Sequence, residues 1–226
     1  MDTIDLVFQL QGKSLPSDHG YALYSAICRI VPAAHSNKEL GIFQVRGASG
    51  GTRVLLLSPS SRLRIRLPAR LIPLFLPLAG KALTVDTHSV RIGVPNVEAL
   101  RPAASLKSEL TVLKFNRSKE TGAYPEITPE RFIALAQQKL TRPADANSPR
   151  GGLGLTAGIE LSIPLSQNGR KPGEPARRVI RVKEKTEVGY ALIVSALMAE
   201  ESIALQEQGL GGRRLMGCGL FLPSGE

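Results

Sequence analysis

At 226 residues the chain is long enough to bury a hydrophobic core, and its 42% hydrophobic content is typical of a folded protein. An excess of 29 Lys and Arg over 19 Asp and Glu gives a net charge of +10 and a pI near 10.0, which favours a polyanionic partner, nucleic acid above all. No apolar run approaches the roughly 18 residues of a membrane span, and the N-terminus lacks signal-peptide features, so we expect a cytoplasmic protein that binds no membrane.

The first half of the chain predicts alternating strands and helices. Apolar residues alternate over Ile4–Leu10, which predicts a half-buried strand, and a helix capped by Ser17 or Asp18 follows. The other elements predicted here are strands over Ile42–Arg46 and Arg53–Leu67, a short helix over Ala69–Leu78 and a strand over His88–Val94. This β-α-β-β-α-β order is typical of a ferredoxin-like domain.

A second series of the same kind follows. Thr128 and Pro129 suit the N-cap and first turn of a helix after a strand over Leu106–Phe115. The remaining predictions are a connection over Thr141–Gly154, strands over Leu155–Leu165 and Arg177–Leu197 joined by a hairpin tip at Gln167–Pro175, and a helix over Ala199–Gln208 that ends at Gly209. We therefore predict an α+β protein of two tandem ferredoxin-like (RRM-like) domains, residues 1–104 and 105–226.

A glycine-rich loop at residues 209–219 directly follows the last predicted helix. Its glycines are Gly209, Gly211, Gly212, Gly217 and Gly219, and its centre carries Arg213 and Arg214. Glycine lets a backbone approach a phosphate closely, and arginine forms bidentate contacts with phosphate oxygens, so the loop is a candidate RNA-binding element. The alternative is a plain helix C-cap and tight turn that leads into a strand.

The glycine pattern resembles that of a known family. The spacing G-x-G, five residues, G-x-G is similar to the C-terminal signature of the CRISPR-associated repeat-processing endoribonucleases of the RAMP superfamily, and Leu15–Tyr24 looks like the start of their first helix. The resemblance implies two ferredoxin-like domains and metal-independent cleavage of CRISPR precursor RNA within each repeat. It also implies that the mature crRNA is retained, and that other subunits of a CRISPR effector complex are partners.

The implied reaction is attack by a ribose 2′-hydroxyl, which leaves a 2′,3′-cyclic phosphate and a 5′-hydroxyl. It needs a proton-transfer group, a task that suits histidine, and a cation near the phosphorane. His35 is the first choice, because several family members carry the catalytic histidine in the loop after the first helix. His19 is the second choice, since it sits at the positive end of a predicted helix, although a backbone-bonded structural histidine would look the same.

Several cations lie in suitable regions of the sequence. Lys38 and Arg46 are candidates to stabilise the phosphorane, and Arg213 and Arg214 are further ones. In Arg62-Leu-Arg64-Ile-Arg66 the arginines share one strand face, which predicts either a ladder of phosphate contacts or a solvated outer face. A denser basic segment contains Arg170, Lys171, Arg177, Arg178, Arg181, Lys183 and Lys185, and we expect it to contact RNA.

Two other classes of protein share parts of this pattern. A non-catalytic RAMP-type subunit of a CRISPR surveillance complex, or a general RNA-binding protein, would carry similar charge without the histidine chemistry. A metal-dependent nuclease is disfavoured, because Cys28 and Cys218 are far apart and no His-x3-His or cluster of carboxylates is present. We therefore expect no metal and no cofactor.

Overall fold

The computed structural model describes residues 3–117, 122–143, 152–156, 158–166 and 173–225. It is a mixed α/β structure with antiparallel sheets, which confirms the predicted class. The chain divides into two compact units. The first contains the residues up to Leu100 together with Ile180–Thr186 and Arg214–Gly217, and the second contains the other residues from Arg101 onward. Both short segments come from the half of the sequence that we assigned to the second domain.

The first unit is built on a five-stranded antiparallel sheet with the strand order β3-β6-β1-β8-β7. Its elements are β1 (Thr3–Gln11), β2 (Ser14–Pro16), α1 (Gly20–Ile30), β3 (Gly41–Ile42), β4 (Ala48–Ser49), β5 (Val54–Leu56), β6 (Arg62–Pro68), α2 (Ile72–Phe75), β7 (Ala82–Val85) and β8 (His88–Ala99). Strands β2, β5 and β4 form a separate three-stranded sheet in that order. Helix α1 and the main sheet enclose one hydrophobic core.

The alternation in β1 places Leu6, Phe8 and Leu10 in this core, as predicted. Helix α1 begins at Gly20 with His19 at the N-cap position and no side-chain cap, so the predicted cap at Ser17 or Asp18 is wrong. Asp18 is used elsewhere, because its carboxylate accepts a hydrogen bond from the Arg181 N–H at 2.8 Å. The chain enters the helix without a capping side chain.

The predicted strand over Arg53–Leu67 is in fact two strands in different sheets. A turn at Ser58–Ser61, closed by the hydrogen bond from Ser61 N–H to Ser58 O at 2.9 Å, separates β5 from β6. Pro59 within the turn removes a backbone donor, which is incompatible with a continuous central strand. The predicted strand over Ile42–Arg46 shortens to β3, and the sequence analysis missed β7.

The second unit has a sheet in the order β10-β12-β9-β13, with β11 paired to β12, and the ends of β11 and β12 within Ile180–Thr186 are counted in the first unit. Its elements are β9 (Ser105–Thr111), α3 (Pro129–Thr141), β10 (Glu160–Ser162), β11 (Arg177–Val182), β12 (Lys185–Ser195), α4 (Ala199–Gln208) and β13 (Leu222–Pro223). Thr128 caps α3 by accepting from Arg131 N–H, and α4 ends at Gly209, so both predicted helix boundaries are confirmed. The predicted strand over Arg177–Leu197 is instead a hairpin that reverses at Lys183 and Glu184, where Lys183 has a φ of 55°.

A buried ion-pair network ties β6 to β1. Asp5 is opposite Arg66 in the strand register, and its carboxylate binds the Arg66 guanidinium through two contacts of 2.7 and 2.8 Å. Arg66 is 0% exposed, and its guanidinium carbon lies 4.9 Å from the centre of the Phe43 ring. Arg64 contacts Asp5 at 3.0 Å and Glu98 at 2.9 Å. One carboxylate therefore compensates two arginines of the ladder.

We predict that Asp5→Ala lowers the free energy of unfolding by about 3–5 kcal/mol, because it removes the carboxylate partner of a fully buried cation. The matched control is Glu98→Ala, which removes the other carboxylate partner of Arg64. Its side chain is 46% exposed, so the expected loss is at most about 1 kcal/mol. Urea denaturation of both variants tests this, and equal losses would contradict the assigned role of Asp5.

Candidate functional site

His35 lies in an exposed turn directly after α1. The turn is a 3₁₀-helix over Pro32–Ala34, and the His35 N–H closes it by donating to Pro32 O at 2.9 Å. The imidazole is exposed, and its Nδ1 lies 3.2 Å from the Ser36 hydroxyl. In the part of the chain that the structure describes, Nε2 has no hydrogen-bond partner. The ring is thus accessible to a substrate through Nε2.

Tyr24 holds this turn in place. Its ring centre lies 6.3 Å from that of His35, with 29° between the two planes, and its hydroxyl accepts a hydrogen bond from Ser36 N–H at 3.1 Å. Ser36 has a φ of 56°, a strained conformation for a non-glycine residue that this bond helps to maintain. Burial is the main cause that raises the pKa of Tyr24, so the hydroxyl stays protonated. The contact joins residues twelve positions apart, and nothing in the local sequence pattern indicates it.

Lys38 and Arg46 follow His35 in the same unit. The Lys38 side chain is exposed, three residues after His35, and makes no ion pair within the described residues. Arg46 is also exposed, and its carbonyl accepts a hydrogen bond from the Ser61 hydroxyl at 2.8 Å. Lys38 is therefore the candidate cation closest to His35 along the chain.

His19 is buried and fully occupied by the backbone. It is 2% exposed, its Nδ1–H donates to Pro16 O at 2.9 Å, and its Nε2 accepts from Val45 N–H at 2.9 Å. Burial, the largest cause, lowers the pKa of His19, and protonation of Nε2 would break the bond to Val45. These contacts are those of a structural histidine that joins the start of α1 to the segment after β3.

The arginines of β6 share one strand face, as predicted, but not as an open ladder. Arg66 is buried against Asp5, and Arg64 contacts two carboxylates. Their charges are compensated inside the unit, so the structure does not favour RNA binding by these two, which stays a prediction. Arg62 differs, since it lies opposite Gln9 and its Nη1 donates only to two carbonyls.

The basic segment near β11 is largely exposed. Arg177, Arg181, Lys183 and Lys185 are exposed, whereas Arg178 contacts Glu109 at 3.1 Å. Arg170 and Lys171, which we expected at the hairpin tip, lie outside the described residues. Leu165 and Pro175 form an antiparallel bridge. The described part of this segment therefore has five exposed cations, of which only Arg178 makes an ion pair among the described residues.

The glycine loop is shaped by close backbone contacts. Gly219 has a φ of 65°, and a Cβ atom there would lie 1.9 Å from Leu210 O, while a Cβ atom on Gly211 would lie 2.2 Å from Val112 O. Several N–H groups of the loop donate to backbone carbonyls. The donors include Leu210, Gly212, Gly217, Cys218 and Gly219. These N–H groups are therefore not available to phosphates, the glycines serve close packing, and RNA binding by the loop stays a prediction.

The two loop arginines have different surroundings. Arg213 contacts Glu187 at 2.6 Å, and its side chain is 38% exposed. Arg214 is half-buried in the first unit, where burial and then the charge of Arg66 lower its pKa to about 10. Arg214 remains cationic at neutral pH, and Arg213 is the more accessible of the two.

The described residues contain no group of three or more His, Cys, Asp or Glu side chains that could hold a metal ion. No helix among them is long and apolar enough to cross a membrane. Cys28 is half-buried and Cys218 is buried, and both are free thiols.

Comparison with known proteins identifies the class, namely a CRISPR-associated protein. Residues 4–226 match the family described as Cas6 CRISPR. A CRISPR-associated endonuclease Cas6 from Myxococcus xanthus is 36% identical over 222 residues, which cover 98% of this chain and 82% of that protein. The chain therefore belongs to the Cas6 family.

Solved structures share the fold at low sequence identity. A CRISPR-associated Cas6 protein has a TM-score of 0.65 at 12% identity, with 98% of this chain and 99% of that chain covered. A RAMP protein described as binding different RNA substrates has a TM-score of 0.64 at 12% identity, with 96% and 98% covered. The resemblance read from the glycine spacing is thus confirmed at the level of the family.

We predict that Gly219→Ala destabilises the second unit, because the left-handed backbone costs about 1–2 kcal/mol for a residue with a Cβ atom and the clash with Leu210 O adds to this. Gly212→Ala is the matched control, since a Cβ atom there meets nothing within 4 Å. Thermal unfolding measures both variants. Similar midpoints would show that the loop tolerates side chains and is not shaped by backbone packing.

Proposed function

We propose that this protein is an endoribonuclease that cleaves CRISPR precursor RNA within its repeats, without a metal ion, and retains the mature crRNA. The observation that carries the proposal is the accessible His35 imidazole in a turn held by Tyr24, in a chain of the Cas6 family whose relative from Myxococcus xanthus is named an endonuclease. His19 is left out of the proposed catalytic set, because both of its ring nitrogens bind the backbone.

The proposed reaction is a transesterification. The 2′-oxygen upstream of the cut attacks phosphorus and loses its proton, the bond from phosphorus to the 5′-oxygen breaks, and that oxygen takes up a proton. The products are a 2′,3′-cyclic phosphate and a 5′-hydroxyl. His35 transfers one of these protons through Nε2, a role that an imidazole fills near neutral pH. Lys38 is the proposed cation that stabilises the phosphorane.

The proposed RNA-binding residues are the accessible cations of the second half of the chain. They are Arg177, Arg181, Lys183 and Arg213. Arg170 and Lys171 are included from the sequence prediction. Arg214, whose side chain is half-buried, is a further proposed contact. Phosphate contacts of this kind do not depend on the RNA sequence, and the contacted phosphates are still present after cleavage. They therefore support retention of the product. Other subunits of a CRISPR effector complex remain proposed partners.

The strand orders support the proposal that each unit is a ferredoxin-like domain. In the first unit the order β-α-β-β-α-β is made by β1, α1, β3, β6, α2 and β8, with β3-β6-β1-β8 in the sheet. In the second unit β9, α3, β10, β12, α4 and β13 repeat it, with β10-β12-β9-β13 in the sheet. Both sheets thus place the first strand between the third and the fourth.

We predict that His35→Ala slows cleavage of repeat RNA by about 10²–10⁴-fold, the usual contribution of a general acid or base, while RNA affinity changes only a few-fold. Single-turnover rates in excess chelator and affinity for uncleaved RNA are the two measurements. His88→Asn is the control for loss of a histidine outside the proposed site. A normal rate for His35→Ala would exclude the proposed role, and binding without cleavage by the unaltered protein would favour a non-catalytic RAMP-type subunit.

We predict that a 2′-deoxy sugar immediately upstream of the cut blocks cleavage and leaves binding nearly unchanged. The hydroxyl is the proposed nucleophile, whereas the phosphates that the protein contacts are still present. Product ends mapped on matched ribose and deoxyribose substrates provide the measurement. Cleavage of the modified RNA at the same bond would contradict the mechanism.

A further inference from the structure

The sequence between Glu39 and Asp86 has an unusual charge distribution. Residues 40–85 contain no acidic residue and seven basic ones, which are Arg46, Arg53, Arg62, Arg64, Arg66, Arg70 and Lys81. Three of them find carboxylates elsewhere in the first unit, because Arg64 and Arg66 contact Asp5 and Arg70 contacts Glu39. Of the others, Arg53 lies directly before β5 and Arg62 begins β6, and neither makes an ion pair among the described residues.

The arginines of β6 have fewer carboxylate contacts toward the start of the strand, from Arg66 to Arg62. Arg66 lies opposite Asp5, Arg64 lies opposite Val7 and reaches Asp5 and Glu98, and Arg62 lies opposite Gln9. The Arg62 guanidinium donates through Nη1 to Pro59 O at 2.6 Å and to Ser61 O at 2.9 Å. These neutral carbonyls fix the orientation of the guanidinium without cancelling its charge. Arg62 is therefore an oriented cation at the start of β6.

The turn at Ser58–Ser61 is rigid and rich in hydroxyl groups. The Ser61 hydroxyl accepts from Ser58 N–H at 3.0 Å and donates to Arg46 O at 2.8 Å, which joins the turn to the segment before β4. The Ser58 and Ser60 hydroxyls are 2.7 Å apart, and both residues are exposed. Two adjacent hydroxyls therefore lie on a turn whose backbone position is fixed.

Lys13 is brought to the same end of the small sheet. Its carbonyl accepts from Leu57 N–H at 3.0 Å, which places Lys13 beside the residue that precedes the turn. The Lys13 side chain is exposed and has no ion pair among the residues that the structure describes. Lys13 is thus paired with the residue before the turn and Arg62 directly follows the turn, so two cations flank the segment that carries the two serine hydroxyls.

We propose that Lys13, Ser58, Ser60 and Arg62 form a phosphate-binding site that holds the backbone of the RNA substrate. The set supplies cations and hydroxyl donors, which match the oxygens of a phosphodiester and offer no base-specific pattern. The inference rests on the proposed function for the identity of the polyanion. It adds a contact surface on the first unit that does not use His35.

The test measures binding rather than cleavage. The probe is repeat RNA with a 2′-deoxy sugar upstream of the cut, compared with an unrelated RNA of the same length, and affinity is measured at several salt concentrations. The variants are Lys13→Gln, Arg62→Gln and the two together. Lys81→Gln is the matched control, because it removes the same charge from an exposed residue before β7, at the opposite edge of the sheet.

We expect each of Lys13→Gln and Arg62→Gln to lower the slope of log affinity against log salt by about 0.7–0.9, the value for one lost phosphate contact, and to do so for both RNAs. Lys81→Gln should leave the slope unchanged. A slope change no larger than that of the control would overturn the site, and so would a loss confined to repeat RNA, which would indicate sequence readout.

Two further measurements distinguish failure of the phosphate-binding site from failure of the proposed endonuclease function. If Arg62→Gln lowers the thermal midpoint by disturbing the turn, Lys13→Gln alone decides the outcome, because that side chain is exposed. Cleavage of ordinary repeat RNA by the unaltered protein is measured in parallel. Absence of cleavage with intact, Lys13-dependent binding would reject the endonuclease and retain the phosphate site, whereas absence of all RNA binding would reject both.

Discussion

The buried carboxylate of Asp5 is the constraint on which the first unit depends. Arg66 is completely buried in a strand face that carries two more arginines, and a guanidinium in that position requires a partner charge. Asp5 supplies it across the β1–β6 register, so the ion pair and the pairing of the two central strands support each other. A shift of one residue would place Arg66 away from Asp5 and move the core residues of β6 to the outer face.

The same carboxylate decides which arginines remain for a ligand. Asp5 and Glu98 compensate one end of the β6 face, and the other end, at Arg62, has only neutral partners. A row of three arginines with identical spacing thus has one fully buried member, one bound to two carboxylates and one that donates to two neutral carbonyls. Equal spacing in sequence does not imply equal function.

Burial separates the two candidate histidines in a similar way. His19 is enclosed by backbone groups that fix its tautomer, and its lowered pKa keeps it neutral while it joins two segments of the first unit. His35 lies five residues beyond the end of α1, where the chain has left the core, and Tyr24 supports its turn from the buried side. The residue that organises the turn therefore belongs to the core, and the residue proposed to react belongs to the surface.

The sequence by itself determined the periodic elements and the family. Alternation over Ile4–Leu10, the cap at Thr128 and the stop at Gly209 are local signals, and each depends on residues within a few positions of one another. The glycine spacing is equally local. It identified the family because a positive φ and a close backbone approach exclude most other residues at Gly211 and Gly219.

Only the tertiary structure decided what the polar side chains contact. Asp5 and Arg66 are 61 residues apart, and the bond between His19 and Val45 spans 26 residues, so no window of sequence reveals either partnership. The glycine loop shows the same limit, because Leu110 and Val112 of the distant β9 region accept its N–H groups. Charge and burial depend on which segments meet in space, and long-range packing sets that, whereas a helix or a turn is set by its own neighbours.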